Sequence, residues 1–288
     1  MAIRYAPEER AALDARARAM LAECADVGSF IRRGLGRNPG GEALVYLRTA
    51  LDPGPIVTSA AAFQSLLGSA SRWLRRNGIG PSDVVSLLAP NCTATSVAYW
   101  AAMSSATVQP LNLLFSREAI ISQVNAVQAK ILFTAPPGAP GGLYEKVEGL
   151  RAQAPSLQRI VVLPLDGTVA FDGEEIVPHD GVDEPLDADG SPDRVVALLP
   201  TGGTTGAPKV VPLTNHNVVA SATASMLAGA LRSDDRILVA LPLFHVGGSF
   251  CASLAALGAG ATLVIPTAAA FAIPRSSGTS GVSSRRSA

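Results

Sequence analysis

An α/β fold rich in parallel sheet is predicted by three observations on the amino-acid sequence. Between residues 84 and 134 short apolar runs alternate with helix-length segments; a strand at residues 195–199 feeds a glycine-rich loop; and residues 237–274, without Asp, Glu, Lys or Arg, are divided by Gly and Pro into strand, helix and strand. Alternating strands and helices of this kind bury their apolar faces as parallel sheets with helices on both sides.

The elements follow in order. Residues 1–34 are expected to form an N-terminal helical segment at the surface, since the N-terminus carries acidic residues and lacks the apolar run and cleavage site of a signal peptide. Residues 43–47 and 56–58 read as strands, and Ser59 is placed to cap a helix that runs to Asn77 and stops at Gly78. Strands are expected at 84–88, 107–109 and 131–134, with helices at 92–104 and 117–128 between them. A Pro/Gly loop at 136–142 precedes a helix near 144–152 and a strand at 159–163. Residues 165–193 are acidic and rich in Pro and Gly; without a repeating ligand spacing they read as a solvated loop rather than a metal site.

Composition narrows the function. The formal net charge is zero and the basic residues are scattered, so no stripe exists to neutralise a row of nucleic-acid phosphates. Cys24, Cys92 and Cys251 are odd in number and far apart, which argues against a disulfide framework or a zinc site and for a reducing cytoplasm. The charge-free stretch is long enough for a membrane span, but Pro242, Gly247, Gly248, Gly258, Gly260 and Pro266 break it into a buried β-α-β unit, so no integral membrane segment is expected.

The loop itself is Thr201, Gly202, Gly203, Thr204, Thr205, Gly206, Ala207, Pro208 and Lys209. Glycines let backbone N–H groups approach phosphate oxygens, the Thr pair adds hydroxyl donors, and Lys209 adds a compact positive charge. A surface turn needs no Thr pair and Lys at this spacing. A P-loop needs Lys directly after the second Gly and Ser or Thr after it, whereas Ala207 and Pro208 intervene here and Val210 follows.

With its flank, TGGTTGAPKVVPLTNHN resembles the Ser/Thr/Gly-rich signature of the adenylate-forming superfamily, and the chain resembles an AMP-forming acyl-CoA synthetase. WLRRNGIGPSDVVSLLAPN (73–91), QPLN (109–112) and LPLFHVGG (241–248) are similar to further family motifs, and the likeness runs over about residues 35–270. Gly202 stands where Ser is commoner, Val210 where Gly is frequent, and Asn215 where the family often has His. The resemblance implies the βα layers of the superfamily's large N-terminal domain, here truncated. It further implies ATP, Mg²⁺ and CoA, with the loop holding the β- and γ-phosphates and Thr204 or Thr205 near the metal. Phe244 and His245 would lie between nucleotide, acyl pocket and CoA path, making His245 the catalytic candidate. Relatives that activate amino acids usually carry Asp after the Phe, to pair with the substrate ammonium in a dry pocket. His245 therefore favours a carboxylic acid without an α-amino group, a fatty acid first and an aryl acid as the alternative. Gly247 and Gly248 leave room for an acyl chain or serve close helix packing. His179 and His216 have no identifiable partners.

The family's adenine motif, ribose-binding Asp, hinge and mobile C-terminal domain have no match here, so residues 35–271 read as a partial AMP-binding domain, expected to be inactive alone; a non-catalytic nucleotide- or acyl-binding remnant is the other reading. Residues 272–288 diverge into a Ser/Arg/Gly tail, expected to be disordered or the product of a frameshift near residues 268–271. The sequence does not fix the oligomeric state.

Overall fold

The computed structural model describes residues 6–49, 52–178, 190–200 and 209–267. The N-terminal helical segment is two helices. α1 (Pro7–Glu23) lies mostly exposed, with Met20 turned inward. α2 (Val27–Leu35) starts at Asp26, whose Oδ1 accepts a hydrogen bond from the Ser29 amide at 2.7 Å, and buries Val27, Phe30, Ile31 and Leu35 in the core.

β1 (Glu42–Tyr46) and β2 (Ile56–Ser59) pair antiparallel and lead into α3 (Ala60–Arg76). The Ser59 hydroxyl accepts from the Ala62 amide at 3.2 Å, the N-cap read from the sequence, and the chain leaves the helix through Gly78 at φ 74°. Then come β3 (Val84–Leu88), α4 (Thr93–Ser105), β4 (Thr107–Pro110), α5 (Arg117–Ala126) and β5 (Ile131–Thr134). The helix expected at 144–152 is interrupted. α6 (Leu143–Val147) stops at Glu148, and Gly149 at φ 67° reverses the chain into a 3-10 turn (Leu150–Ala152) before β6 (Arg159–Val162).

Part of the acidic stretch, among its described residues 165–178, forms regular structure where a solvated loop was expected. A small hairpin, β7 (Ala170–Phe171) and β8 (Glu174–Glu175), turns on Asp172 and Gly173, both at positive φ, as a two-residue hairpin turn requires. It carries Phe171 into the core edge-on to Trp73 at 5.2 Å, while the Trp73 indole N–H donates to Glu174 at 2.9 Å and Arg76 pairs with the same carboxylate. Glu174 thus ties the hairpin to Trp73 and Arg76 of α3.

The remainder is β9 (Val195–Pro200), β10 (Val210–Thr214), α7 (Asn215–Ala228), β11 (Arg236–Leu238), a π-helix (Gly247–Leu254), α8 (Ala255–Ala259) and β12 (Thr262–Ile265). β10 and α7 were not legible as separate elements in the sequence. The tail at 272–288 lies outside the described residues.

The strands form a six-stranded sheet, β10-β9-β4-β3-β5-β6, parallel except for β10, and a four-stranded sheet, β11-β12-β1-β2, with β2 antiparallel. Strand periodicity sets the layers. On β3 and β5, Val85, Leu87, Ile131 and Phe133 face a large apolar cluster that joins both sheets through α2, α3, α4, α7 and α8; Leu88 and Leu132 face a second cluster under α5 and α6. All of α4 is buried, as its lack of charged residues allows. Where α2 crosses α8, Gly34 and Gly258 permit close approach: a Cβ on Gly34 would lie 1.9 Å from the Leu257 carbonyl oxygen. No helix among the described residues is long and apolar enough to cross a membrane.

Candidate functional site

Because β3, β4, β5, β6 and β9 run parallel, their C-terminal ends share one edge of the six-stranded sheet, the edge at which open α/β sheets place ligands. The glycine-rich loop leaves β9 at this edge. Thr201, Gly202, Gly203, Thr204, Thr205, Gly206 and Pro208 lie outside the described residues, but both arms are defined. β10 returns antiparallel with Val210 opposite Pro200, so residues 201–209 connect a hairpin anchored at the edge. Lys209, on the returning arm, is exposed.

Phe244 and His245 reach the same edge from the four-stranded sheet. After β11 the chain passes through Leu241, Pro242 and Leu243, and is met by Asn91, two residues before α4 in the loop leaving β3. The Asn91 carboxamide donates to the Leu241 carbonyl at 3.0 Å and its Oδ1 accepts from the Leu243 amide at 3.2 Å. Asn91 is 2% exposed. β3 is separated from β9 only by β4, so the clamp and the loop's origin stand two strand spacings apart, about 10 Å across the sheet.

Beyond the clamp the backbone folds on itself. The His245 amide donates to the Pro242 carbonyl at 3.1 Å, and the His245 carbonyl accepts from the Gly248 and Ser249 amides, each at 2.9 Å, and from the Ser249 hydroxyl at 3.0 Å. The His245 ring is oriented as well: Nδ1 accepts from the Gly247 amide at 3.0 Å. That bond uses the Nδ1 lone pair, so the neutral ring carries its proton on Nε2, on an exposed side chain. Phe244 is half-buried beside it.

Of the two readings of the small residues, close packing describes Gly248. A Cβ there would lie 2.3 Å from the Pro242 oxygen and 2.6 Å from the Leu241 oxygen, so the position is filled by backbone. Gly247 is half-buried against the Leu241 side chain and the His245 ring. Both open the π-helix, a form concentrated at functional sites, in which the Ser253 hydroxyl reaches back to the Gly248 carbonyl at 2.7 Å. Behind it on α4, burial pushes the Tyr99 hydroxyl above its ordinary range, so Tyr99 stays protonated. Burial likewise pushes up the Cys92 thiol, which caps α4 by accepting from the Thr95 amide at 3.4 Å; it serves as a helix cap, not a nucleophile.

Two asparagines have tertiary roles that the sequence reading did not assign. Asn91 was visible only as the last letter of a motif at a strand end. Asn215, fully buried, accepts from the Val27 amide at 3.1 Å and donates to the Ser191 carbonyl at 2.8 Å, tying the start of α7 to α2. The residue that replaces the family's frequent His thus has a structural task here. His216 is exposed, and His179 lies outside the described residues. Among the described residues no group of three or more His, Cys, Asp or Glu could hold a metal ion; Thr204 and Thr205, expected near magnesium, are not among those residues.

Comparison with known proteins gives a consistent picture. The family model described as AMP-binding enzyme matches residues 31–277. The chain is 31% identical over 233 residues to a probable CoA ligase, CCL9, of Humulus lupulus, covering 78% of this chain and 42% of that protein. It is 34% identical over 215 residues to 4-coumarate–CoA ligase 3 of Oryza sativa subsp. japonica, covering 71% and 36%. The chain spans less than half the length of these curated relatives. Among solved structures, apo MatB of Rhodopseudomonas palustris shares the fold with a TM-score of 0.66 at 21% identity, covering 83% of this chain and 45% of that one.

Proposed function

This chain belongs to the AMP-binding enzyme family, and on that premise we propose that it carries the nucleotide- and acid-binding portion of an acid–CoA ligase that works through an acyl adenylate. The observation that carries the reading is the shared sheet edge. The end of β9, which delivers the glycine loop, and the end of β3, from which Asn91 holds the Phe244–His245 segment, lie about two strand spacings apart, a separation that one ligand of nucleotide size could span.

In the proposed reaction a carboxylate oxygen attacks the α-phosphorus of ATP as the bond to the departing pyrophosphate breaks. CoA sulfur then attacks the acyl carbonyl and AMP leaves. Such displacements are accelerated by positioning and by charge stabilisation. Lys209 and residues 201–208 would hold the β- and γ-phosphates, and Phe244 would form an apolar wall beside the acid. His245, with its Nδ1 engaged, would donate from Nε2 to an oxygen of the acid or of the adenylate. Magnesium would enter with the nucleotide and shield its phosphate charge, beside Thr204 or Thr205.

His245 supplies no fixed anion for a substrate ammonium, which supports acids without an α-amino group. A fatty acid is the first candidate. An aryl acid is the second, supported by the similarity to a 4-coumarate–CoA ligase. ATP–pyrophosphate exchange with a panel of fatty, aryl and amino acids tests the proposal. Exchange driven by a fatty or aryl acid and lost in Lys209→Ala supports it. Binding of ATP and acid without exchange assigns the chain a non-catalytic nucleotide- or acyl-binding role. Failure to bind either refutes both.

A further inference from the structure

We propose that Asn91 is a positioning residue for the acid-facing pair: its carboxamide determines where Phe244 and His245 stand relative to the nucleotide-side edge of the six-stranded sheet. The inference rests on the reading of Phe244 and His245 given above.

Three observations carry it. First, among the described residues the only hydrogen bonds linking residues 240–246 to any part of the chain outside residues 240–254 are the two made by Asn91. The remaining bonds of this stretch, from the His245 amide to Pro242, from Gly248, Ser249 and the Ser249 hydroxyl to the His245 carbonyl, and from the Gly247 amide to the His245 ring, are internal to the loop and the π-helix it enters. They fix the local shape, and beside the burial of the Leu243 side chain in the core it is the Asn91 pair that ties that shape to β3. Second, the two bonded groups flank Pro242, which has no N–H. The chain bends at Leu241 and turns from Leu243, and in this shape the Leu241 carbonyl and the Leu243 amide both face Asn91. A primary amide, with one donor and one acceptor in a rigid fork, matches that pair as a neighbouring strand's peptide would. Third, Asn91 is buried and follows directly from β3, whose neighbour β4 lies beside β9, the strand that delivers the glycine loop. A displacement of Asn91 therefore changes the separation of the two halves of the site. The distance along the chain, from 91 to 241, means that only the folded topology brings them together.

The test uses Asn91→Asp, which keeps size and the acceptor toward Leu243 but removes the donor toward Leu241, and Asn91→Ala, which removes both. Two readouts are taken on the full chain. Amide exchange at Leu243 and the NMR shifts of the His245 ring report the position of the segment. Affinities for ATP alone and for a non-hydrolysable acyl-adenylate analogue with a fatty acyl group separate nucleotide from acyl contacts.

Both variants are expected to speed Leu243 exchange, shift the His245 ring signals and weaken the analogue about tenfold, while ATP affinity stays within about twofold, the size expected for losing one or two buried hydrogen bonds from one side of the ligand. Unchanged Leu243 exchange and His245 shifts in either folded variant overturn the clamp. A faster exchange with equal weakening of ATP and analogue overturns the positioning role in favour of a general structural one. A wild-type chain that binds neither ligand refutes the proposed function instead, and the exchange and ring-shift readout still decides whether Asn91 places the segment. Should Asn91→Ala fail to melt cooperatively, the isosteric Asn91→Asp decides the question alone.

Discussion

Replacing Gly248 with alanine sets two backbone effects against each other at the entrance to the π-helix. Propensity alone favours alanine, by about 1 kcal/mol in a helix interior. The packing opposes it. The new Cβ would lie 2.3 Å from the Pro242 oxygen, 2.6 Å from the Leu241 oxygen and 2.9 Å from the Leu241 carbonyl carbon, where ordinary contact begins at 3.4 Å. The loop or the helix must therefore move by about 1 Å, and the obstructing atoms are main chain on a segment that Asn91 holds from the other side. Overpacking of this kind costs about 1–3 kcal/mol, and the absence of any flexible side-chain end to yield puts this site in the upper half of that range. The net expectation is a loss of about 1–2 kcal/mol, or a fall in Tm of about 2–3 °C for a chain of this size. Urea unfolding followed by tryptophan fluorescence measures it, with Gly40→Ala as the comparison, because a Cβ on Gly40 meets nothing within 4 Å. If Gly248→Ala raises the unfolding midpoint as much as Gly40→Ala does, propensity has won and the close-packing account of Gly248 is wrong.

Gly34→Ala drives a Cβ to 1.9 Å from the Leu257 oxygen and forces α2 away from α8; a loss of about 3 kcal/mol is expected, with faster amide exchange in β12, and an unchanged urea midpoint would contradict it. Asn215→Ala leaves the Val27 amide and the Ser191 carbonyl without their partner; it should cost about 1–3 kcal/mol, and a thermal midpoint equal to wild type counts against the tie. Asp83 and Lys130 pair at 2.6 Å, joining the starts of β3 and β5. Burial works to raise the Asp83 carboxyl, but hydrogen bonds from Lys130 and the Gly80 amide outweigh it and hold the group below its ordinary value. A depressed carboxylate stabilises the fold above its unfolded-state pKa and loses that contribution as pH falls through the folded-state value. Asp83→Asn should thus lower stability by about 0.5–1 kcal/mol at pH 7, and the gap to wild type should close as the pH falls below the ordinary carboxylate range; a gap that persists unchanged in acid would refute the assignment.

The sequence by itself determined the local pieces. Apolar runs of strand length placed β3 and β5 to the residue, because a buried parallel strand needs little beyond a short uninterrupted run of branched and aliphatic side chains. Ser59 and Gly78 marked the ends of α3, since capping is decided within one turn of the chain. The composition of the loop at 201–209 likewise pointed to phosphate, its chemistry being carried by neighbours in the chain. Other features came only with the tertiary structure. Asn91 meets residues 241 and 243, and Asn215 meets residue 27. A polar side chain on a loop carries no local sign of a partner so distant. Gly248 could as well have opened a pocket, until the carbonyls of Leu241 and Pro242 were seen to fill its space. The helix expected at 144–152 broke at a glycine whose positive φ the apolar pattern did not reveal. Local order follows from neighbours two to four residues apart, whereas the edge shared by the ends of β9 and β3 is set by the order of strands in the sheet, which sequence periodicity leaves undetermined.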